Sequence, residues 1–476
     1  MKRRIVVVGD VMLDRDLTGR TERIAPDAPV PVFDIEQVRE SPGGAGLTAL
    51  LCTAPDVEVL LIAPISGDQA GARLTAKLRD RIELLPLPHE GGTRTKIRIR
   101  SAGQSLLRLD EGGPGRPVRP RLEPVRAALA AADVVLVSDY GAGTTSDPGL
   151  RELLVQCAAR VPMIWDPHPR GGAPVTGATL VTPNVAEATV AIHREQPGGG
   201  ERRDAPPDEI AMHLRELWQS RAVCVTAASS GAYLALAGSE PMFVPAPVVE
   251  GGDPCGAGDR FAASAAQALA RGAVLSEAVI GAVQDASAWV AAGGAASYRS
   301  AEELSDHDHR AVPLVPGQVR GPDSPDPVAA LMADVRARGG QIVATGGCFD
   351  ILHVGHISCL EAARRAGDAL IVLLNSDESV RRLKGPQRPV VPAPERARVL
   401  QALQSVDAVV VFDEDTPETA LDRLRPDIWV KGGDYGGTPL PEADLVRSWG
   451  GRILLLPYVD GRSTTAILTR TDLEAR

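Results

Sequence analysis

Short β-rich apolar runs alternate with helical stretches along almost the whole chain, and the alternation breaks once, over residues 313–327 (PLVPGQVRGPDSPDP). Adjacent parallel strands need a crossover, usually a helix, so the alternation predicts largely parallel sheets covered on both faces. A proline- and glycine-rich stretch without periodicity sustains neither element, so it reads as a linker. We therefore expect one domain over 1–315, a linker over 316–327, and a second domain over 328–476. Strands are expected at 4–8, 57–63, 95–100, 134–138, 163–166, 179–182 and 223–226, then at 342–345, 369–375, 408–412, 428–431 and 453–457. The best helical patterns are 121–132, 149–159, 258–271 and 275–292. The polar residues 196–207 read as a surface insertion.

A chain of 476 residues exceeds one ordinary core, which agrees with this division. Its net charge of −10 without a basic stripe, and its 3% aromatic content, argue against nucleic acid as a partner. The first apolar run is too short for a signal segment, and no run approaches a bilayer span. Six dispersed cysteines without a CxxC pair point to a reducing cytoplasm and to no disulfide or zinc framework. Lysine is scarce beside arginine, and Lys96, Lys384 and Lys431 all fall in the segments that carry chemistry.

The strand at 342–345 runs into TGGCFDILHVGH, residues 345–356. His353 and His356 are three apart and share a face if a helix starts there. A helix N-terminus offers free N–H groups and the positive end of the dipole, so two imidazoles at that point make a site for a phosphate. Displacement of pyrophosphate needs positioning and charge stabilisation more than covalent catalysis. The string GxFDxxHxGH resembles the cytidylyltransferase-like nucleotidyltransferases. With LIVLLNSDESVRRLKGPQRPVVP, EDTPETALDRLRPDIWVKGGDY and DGRSTTAIL, the segment is similar to the adenylyltransferase half of the bifunctional heptose 7-phosphate kinase/heptose 1-phosphate adenylyltransferase family. That resemblance implies His353, His356 and Lys384 as catalytic residues. It implies nucleotide contacts from Gly347, Phe349, Asp350, Asp377, Arg388 and Lys431, and from Ser463, Thr464 and Thr465 at the start of a helix. Asp350 and Asp377 are expected at the ribose or active-site edge, and Lys431 toward the nucleotide and sugar phosphate.

Upstream, DPCGAGDRF (253–261) precedes a long helical pattern. Gly256, Ala257 and Gly258 can aim successive N–H groups at a transferring phosphoryl group, and Asp259 stands where a carboxylate can take a hydroxyl proton. GAGD resembles the signature of ribokinase-like (PfkB) sugar kinases. VVGDVMLDRDLTGRTERIAPDAPVPV, SPGGAG, TRTKIRIRSAGQSLLRLD, SDYGAG and GATLVTPNVAEA resemble the kinase half of the same bifunctional family. The resemblance implies a ribokinase-like α/β sandwich followed by a Rossmann-like nucleotidyltransferase domain. It implies sugar contacts from Asp14, Gly43 and Gly44, with Lys96 and Arg98 for the sugar's phosphate. Asn184, Val185, Ala186 and Glu187 would face ATP, with Glu187 reaching Mg²⁺ through water and no side chain ligating metal directly. Ser230 and Gly231 would lie at the adenine side. ATP, sugar phosphates and Mg²⁺ are the implied small molecules, and a homodimer the implied assembly.

Four positions depart from the kinase pattern. Leu47 stands where the kinase pattern following Gly43–Gly44 has Asn, Cys255 follows Pro254 in place of Thr or Ser, His168 replaces Lys, and Arg260 follows the base. They leave open an alternative in which the first domain only binds and the second uses CTP with an alcohol phosphate.

Overall fold

The computed structural model describes residues 2–89, 91–101, 104–113, 116–118, 120–195, 205–249, 251–295, 327–432 and 440–457. It divides into two compact units, residues 1–234 with 246–305, and residues 235–245 with 306–476.

In the first unit the strands are β1 (Arg3–Gly9), β2 (Val11–Ile24), β3 (Pro31–Gly44), β4 (Val57–Pro64), β5 (Glu83–Leu87), β6 (Thr95–Ser101), β7 (Gln104–Glu111), β8 (Val134–Ser138), β9 (Met163–Asp166), β10 (Leu180–Val181), β11 (Ala222–Thr226) and β12 (Gly231–Leu236). The main sheet runs β11-β10-β9-β8-β1-β4-β5 and is parallel throughout. Its central strands are apolar on both faces: Ile5, Val6, Val7 and Val8 on β1 and Val134 to Val137 on β8 are fully buried, as helix-covered parallel strands require. The chain leaves β1 toward β4 on one side and returns to β8 on the other. A crevice therefore opens beyond the carboxyl ends of β1 and β8. Asp10, one residue past β1, accepts hydrogen bonds from the backbone N–H groups of Tyr140, Ala142 and Thr144 and from the Thr144 hydroxyl, and so fixes the loop after β8 in that crevice.

The strand expected at 95–100 is present but belongs to a second sheet, ordered β3-β2-β6-β7. β2 pairs antiparallel with β3 and parallel with β6, and β6 antiparallel with β7. The two fourteen-residue strands β2 and β3 were not legible, because their charged, half-exposed residues carry no apolar alternation. On β7 every residue is exposed.

In the second unit, β13 (Met242–Pro245) precedes β14 (Ile342–Gly347), β15 (Ala369–Asn375), β16 (Ala408–Phe412), β17 (Ile428–Gly432) and β18 (Arg452–Leu456). The order β16-β15-β14-β17-β18 is parallel, and all five strands match the expected ones to within two residues. Successive crossovers leave β14 in opposite directions, so the crevice lies past β14, where the histidine segment begins. Ile342, Ala344, Ile371, Leu373, Trp429 and Val446 centre the core beneath it.

Candidate active sites

In the first unit, Gly256 takes φ +79°, which glycine adopts without strain, and caps the helix Ala257–Ala270. Asp259 falls in that helix's first turn and is buried. Burial pushes its carboxyl up to about 6, against hydrogen bonds that favour the ion. Those bonds come from the Thr48 hydroxyl at 2.5 Å and from the Tyr140 hydroxyl, 2.8 Å from each carboxylate oxygen. Neither donor was found from the sequence. Tyr140 lies inside SDYGAG and Thr48 beside the anomalous Leu47, so proximity to known motifs was the available signal.

Asp14 on β2 is buried and receives Arg98 Nη1 at 3.2 Å, and Asp16 stands 3.8 Å from the same guanidinium nitrogen. A Cβ on Gly43 would come within 2.6 Å of Asp14 Oδ2, so a side chain there would displace that carboxylate. Gly44 has φ +56°. Lys96 is half-buried beside Asp14, and burial lowers its ammonium pKa. The structure thus separates the two expected phosphate cations. Arg98 is committed to Asp14 and Asp16, whereas Lys96 has no ion-pair partner among the described residues.

Asn184 and Glu187 bond reciprocally. The Asn184 N–H donates to Glu187 Oε2 at 2.9 Å, and the Glu187 N–H to Asn184 Oδ1 at 3.0 Å, a capping box opening the helix Val185–Glu195 that carries Ala186. Burial raises the pKa of Glu187, and that of Asp166 well above its usual range. A cavity of about 490 Å³ is lined by Ser229, Gly231, Val248, Gly258, Phe261 and Val283 among others. Ser230 is not in its wall. In the turn Ala228–Ser230 the Ser230 N–H is donated to the Ala227 carbonyl, and of the two adjacent serines Ser229 lines the cavity.

Three departures find a place. Leu47 is buried, with Cδ2 3.3 Å from where a Cβ on Gly256 would sit. The Cys255 carbonyl accepts Trp289 Nε1 at 2.9 Å, and Arg260 reaches Asp285 at 3.1 Å. None of the three displaces Asp259. His168 stacks on Tyr140 with ring centroids 6.3 Å apart.

In the second unit, His353 is the N-cap of the helix Val354–Arg365 and His356 lies in its first turn. Their rings stack at 3.9 Å, and Phe349 meets His356 at 5.3 Å. Phe349 holds φ +42°, a strained value for an aromatic residue, and a Cβ on Gly347 would stand 3.1 Å from its ring. Burial, then the charges of His353 and Lys384, lowers His356 to about 4. Lys384 ends the helix Asp377–Lys384, and its neighbours Arg381 and Arg382 pair with Glu378 and Asp415.

Both carboxylates expected at the ribose edge also have protein partners, Asp377 through Oδ1 alone. Asp350 Oδ2 forms an ion pair with Arg388, Nε at 2.5 Å, and Oδ1 accepts the N–H groups of Val390 and Val391 at 2.7 and 3.1 Å. Asp377 takes Ala393 N–H at 2.8 Å and Arg396 at 2.6 Å. Arg388 is likewise occupied by Asp350. The segment that carries Arg388 needs anchoring because it has no regular structure of its own, and these acids supply it. Lys431 is drawn to Glu442 at 2.8 Å, where Glu442 also accepts Trp429 Nε1 at 3.0 Å. Lys431 Nζ lies 5.4 Å from the Trp429 ring centroid. Ser463, Thr464 and Thr465 lie outside the described residues.

Arg396 was missed by the sequence reading, since a lone arginine in a helical pattern reads as a solvated charge. It is buried, and it donates to the carbonyls of Cys348, Asn375 and Val391 as well as to Asp377. Arg396→Met keeps the volume but strands these acceptors. We expect it to cost about 3 kcal/mol, visible as an earlier urea transition of the second unit with phosphorylation by the first unit retained.

The comparisons with known proteins bear on both sites. A pfkB family carbohydrate kinase model matches residues 2–302, and a cytidylyltransferase-like model matches residues 344–452. A bifunctional protein HldE from Streptomyces coelicolor is 52% identical, with 99% of this chain and 97% of that protein covered. This chain belongs to the HldE family of bifunctional proteins. The HldE protein of Hahella chejuensis is 38% identical over 98% of this chain and 96% of its own length. A carbohydrate kinase from Agrobacterium tumefaciens, 21% identical, matches 64% of this chain and 94% of its own with a TM-score of 0.50, which shows the fold of the first unit. The HldE-family chain is thus an enzyme with two sites, a ribokinase-like carbohydrate kinase and a nucleotidyltransferase.

Proposed function

We propose that the first site transfers the γ-phosphoryl group of ATP to the anomeric hydroxyl of D-glycero-D-manno-heptose 7-phosphate, giving the 1,7-bisphosphate. The second site joins AMP from ATP to heptose 1-phosphate, releasing pyrophosphate and yielding ADP-heptose. One observation carries the reading: a buried base under a helix N-terminus, and a stacked histidine pair at another, occur on one chain of a bifunctional family. The anomeric phosphate installed by the first becomes the nucleophile of the second once a phosphatase, a separate protein, has hydrolysed the 7-phosphate of the bisphosphate.

In the first site Asp259 accepts the sugar hydroxyl proton, and the N–H groups of Gly256 and Gly258 receive the charge that develops on the phosphoryl oxygens, the Ala257 N–H being donated instead to the Pro254 carbonyl at 3.0 Å. Lys96 supports the sugar's own phosphate. Glu187 and Asp166 offer hard oxygen donors of the kind Mg²⁺ takes, directly or through water. The metal, arriving with ATP, neutralises triphosphate charge. In the second site His353 and His356 hold the α-phosphate, with Lys384 closing over the phosphates.

The free thiols of all six cysteines support a cytoplasmic setting. No helix among the described residues is long and apolar enough to cross a membrane. The exposed side chains of Ile24, Ile35, Val38, Leu107 and Leu109 on the second sheet support a homodimer formed through that sheet.

The test uses the full chain with ATP, Mg²⁺ and heptose 7-phosphate, then with heptose 1-phosphate and either ATP or CTP, products being read by mass. Bisphosphate and ADP-heptose are expected. Absence of bisphosphate, or preference for CTP, overturns the corresponding half.

A further inference from the structure

Thr48 lies on the short helix Ala45–Leu51, wholly buried, one residue after the leucine that departs from the kinase pattern. Its hydroxyl has three partners: Asp259 Oδ1 at 2.5 Å, the Gly44 carbonyl at 3.2 Å and Ser138 Oγ at 3.2 Å. The Gly44 contact is the ordinary back-bond of a helical threonine to the carbonyl four residues earlier. The Asp259 contact is not, since it joins residues 211 apart across the unit. One hydroxyl carries one proton and two lone pairs, so it cannot donate to both oxygens at once.

We propose that Thr48 is the positioning residue of the kinase base, holding Asp259 in each of its two protonation states. Before reaction Asp259 is ionised, and Thr48 donates to Oδ1. When the sugar O–H bond breaks, its oxygen bonds to the γ-phosphorus, the bridging oxygen of ADP leaves with its electron pair, and the proton passes to Asp259. The new carboxyl O–H then donates to Thr48 Oγ1, and the Thr48 proton turns to the Gly44 carbonyl. Only hydrogens move, because every heavy atom is already in place. The Tyr140 hydroxyl spans both carboxylate oxygens and fixes the plane of the group.

The groups facing Asp259 are Asp14 from β2, Lys96 from β6, Tyr140 behind β8, Asp166 at the end of β9 and Cys52 below Thr48. Desolvation is the largest influence on Asp259, and the Thr48 bond the largest that opposes it. A hydrogen bond to an ion is strong enough that its loss reduces the acidity of the carboxyl about tenfold.

The inference rests on the kinase reading, so the experiment has one arm that needs no sugar. The carboxyl infrared band that vanishes in Asp259→Asn is titrated in the full chain and in its Thr48→Val and Thr48→Ser forms. The isosteric Thr48→Val should raise the midpoint by about one pH unit, a tenfold change, and Thr48→Ser should restore it. In the second arm the acid limb of kcat for ADP formation from heptose 7-phosphate should move with the midpoint, KM for the sugar should hold, and adenylyl transfer by the same chain should stay unchanged as the control for folding. An unmoved midpoint in Thr48→Val, or a Thr48→Ser midpoint displaced equally, overturns the proposal. A displaced midpoint without ADP formation by the parent chain supports it and overturns the substrate instead.

Discussion

Asp259→Asn should lower phosphoryl transfer by about 10³- to 10⁴-fold and leave adenylyl transfer unchanged, as measured by separate ADP and pyrophosphate assays on one preparation. The amide keeps the shape of the carboxylate and can accept from Thr48 and Tyr140, but it cannot take a proton. The same change should stabilise the first unit at neutral pH. The carboxyl is raised from 3.8 to about 6 by burial, so the folded chain holds its proton more tightly than the unfolded chain. Stability associated with this group is present below 3.8 and is lost as pH rises through 6. At pH 7 the fold carries a buried ion, and removing it should return about 1–3 kcal/mol. Thermal unfolding at pH 7 and pH 4 tests this. The parent should approach the variant only at the lower pH, and a variant less stable at both would show that the hydrogen bonds to the ion outweigh its burial.

His356→Asn should reduce adenylyl transfer by about 10²- to 10³-fold with phosphorylation intact. In the fold His356 protonates only near 4, against 6.5 for an ordinary imidazole, with burial the larger cause and His353 and Lys384 the lesser ones. It is therefore neutral throughout the working range and serves as a hydrogen-bond donor, not as a cation. The rate of pyrophosphate release should stay free of an acid limb down to about pH 5, whereas a limb near 6.5 would contradict a neutral donor. The fold pays for the arrangement: unfolded chains take up the proton first, so stability falls as pH drops from 6.5 to about 4.

The parts of the molecule that were legible in the sequence are those where one physical demand governs each residue. Strands of the two parallel sheets are buried on both faces and read as apolar runs, and Gly256–Asp259 and His353–His356 follow from what a helix N-terminus requires. The second sheet of the first unit stayed hidden because one face of β2 and β3 is wet, so Asp14, Arg15 and Asp16 obscure the period. Residues that act through others were hidden for a related reason. Thr48, Tyr140 and Arg396 owe their roles to partners distant in sequence, and nothing in the neighbouring residues marks them. The same cause hid the protein partners of Asp350 and Asp377, which lie at 388–396 and become apparent only once that segment has folded back.

The second sheet also separates two inheritances. Asp14, Gly43, Lys96 and Arg98, the residues proposed to meet the sugar, all sit on β2, β3 and β6, whereas Asp259 sits on a helix covering the main sheet. Changes drawn from β2, β3 and β6 alone would sample new sugars against an unaltered phosphoryl-transfer apparatus. A combinatorial library confined to those strands is therefore the economical route to kinases of altered choice, and a lineage that retained Asp259 while exchanging its sugar would be expected to have varied there first.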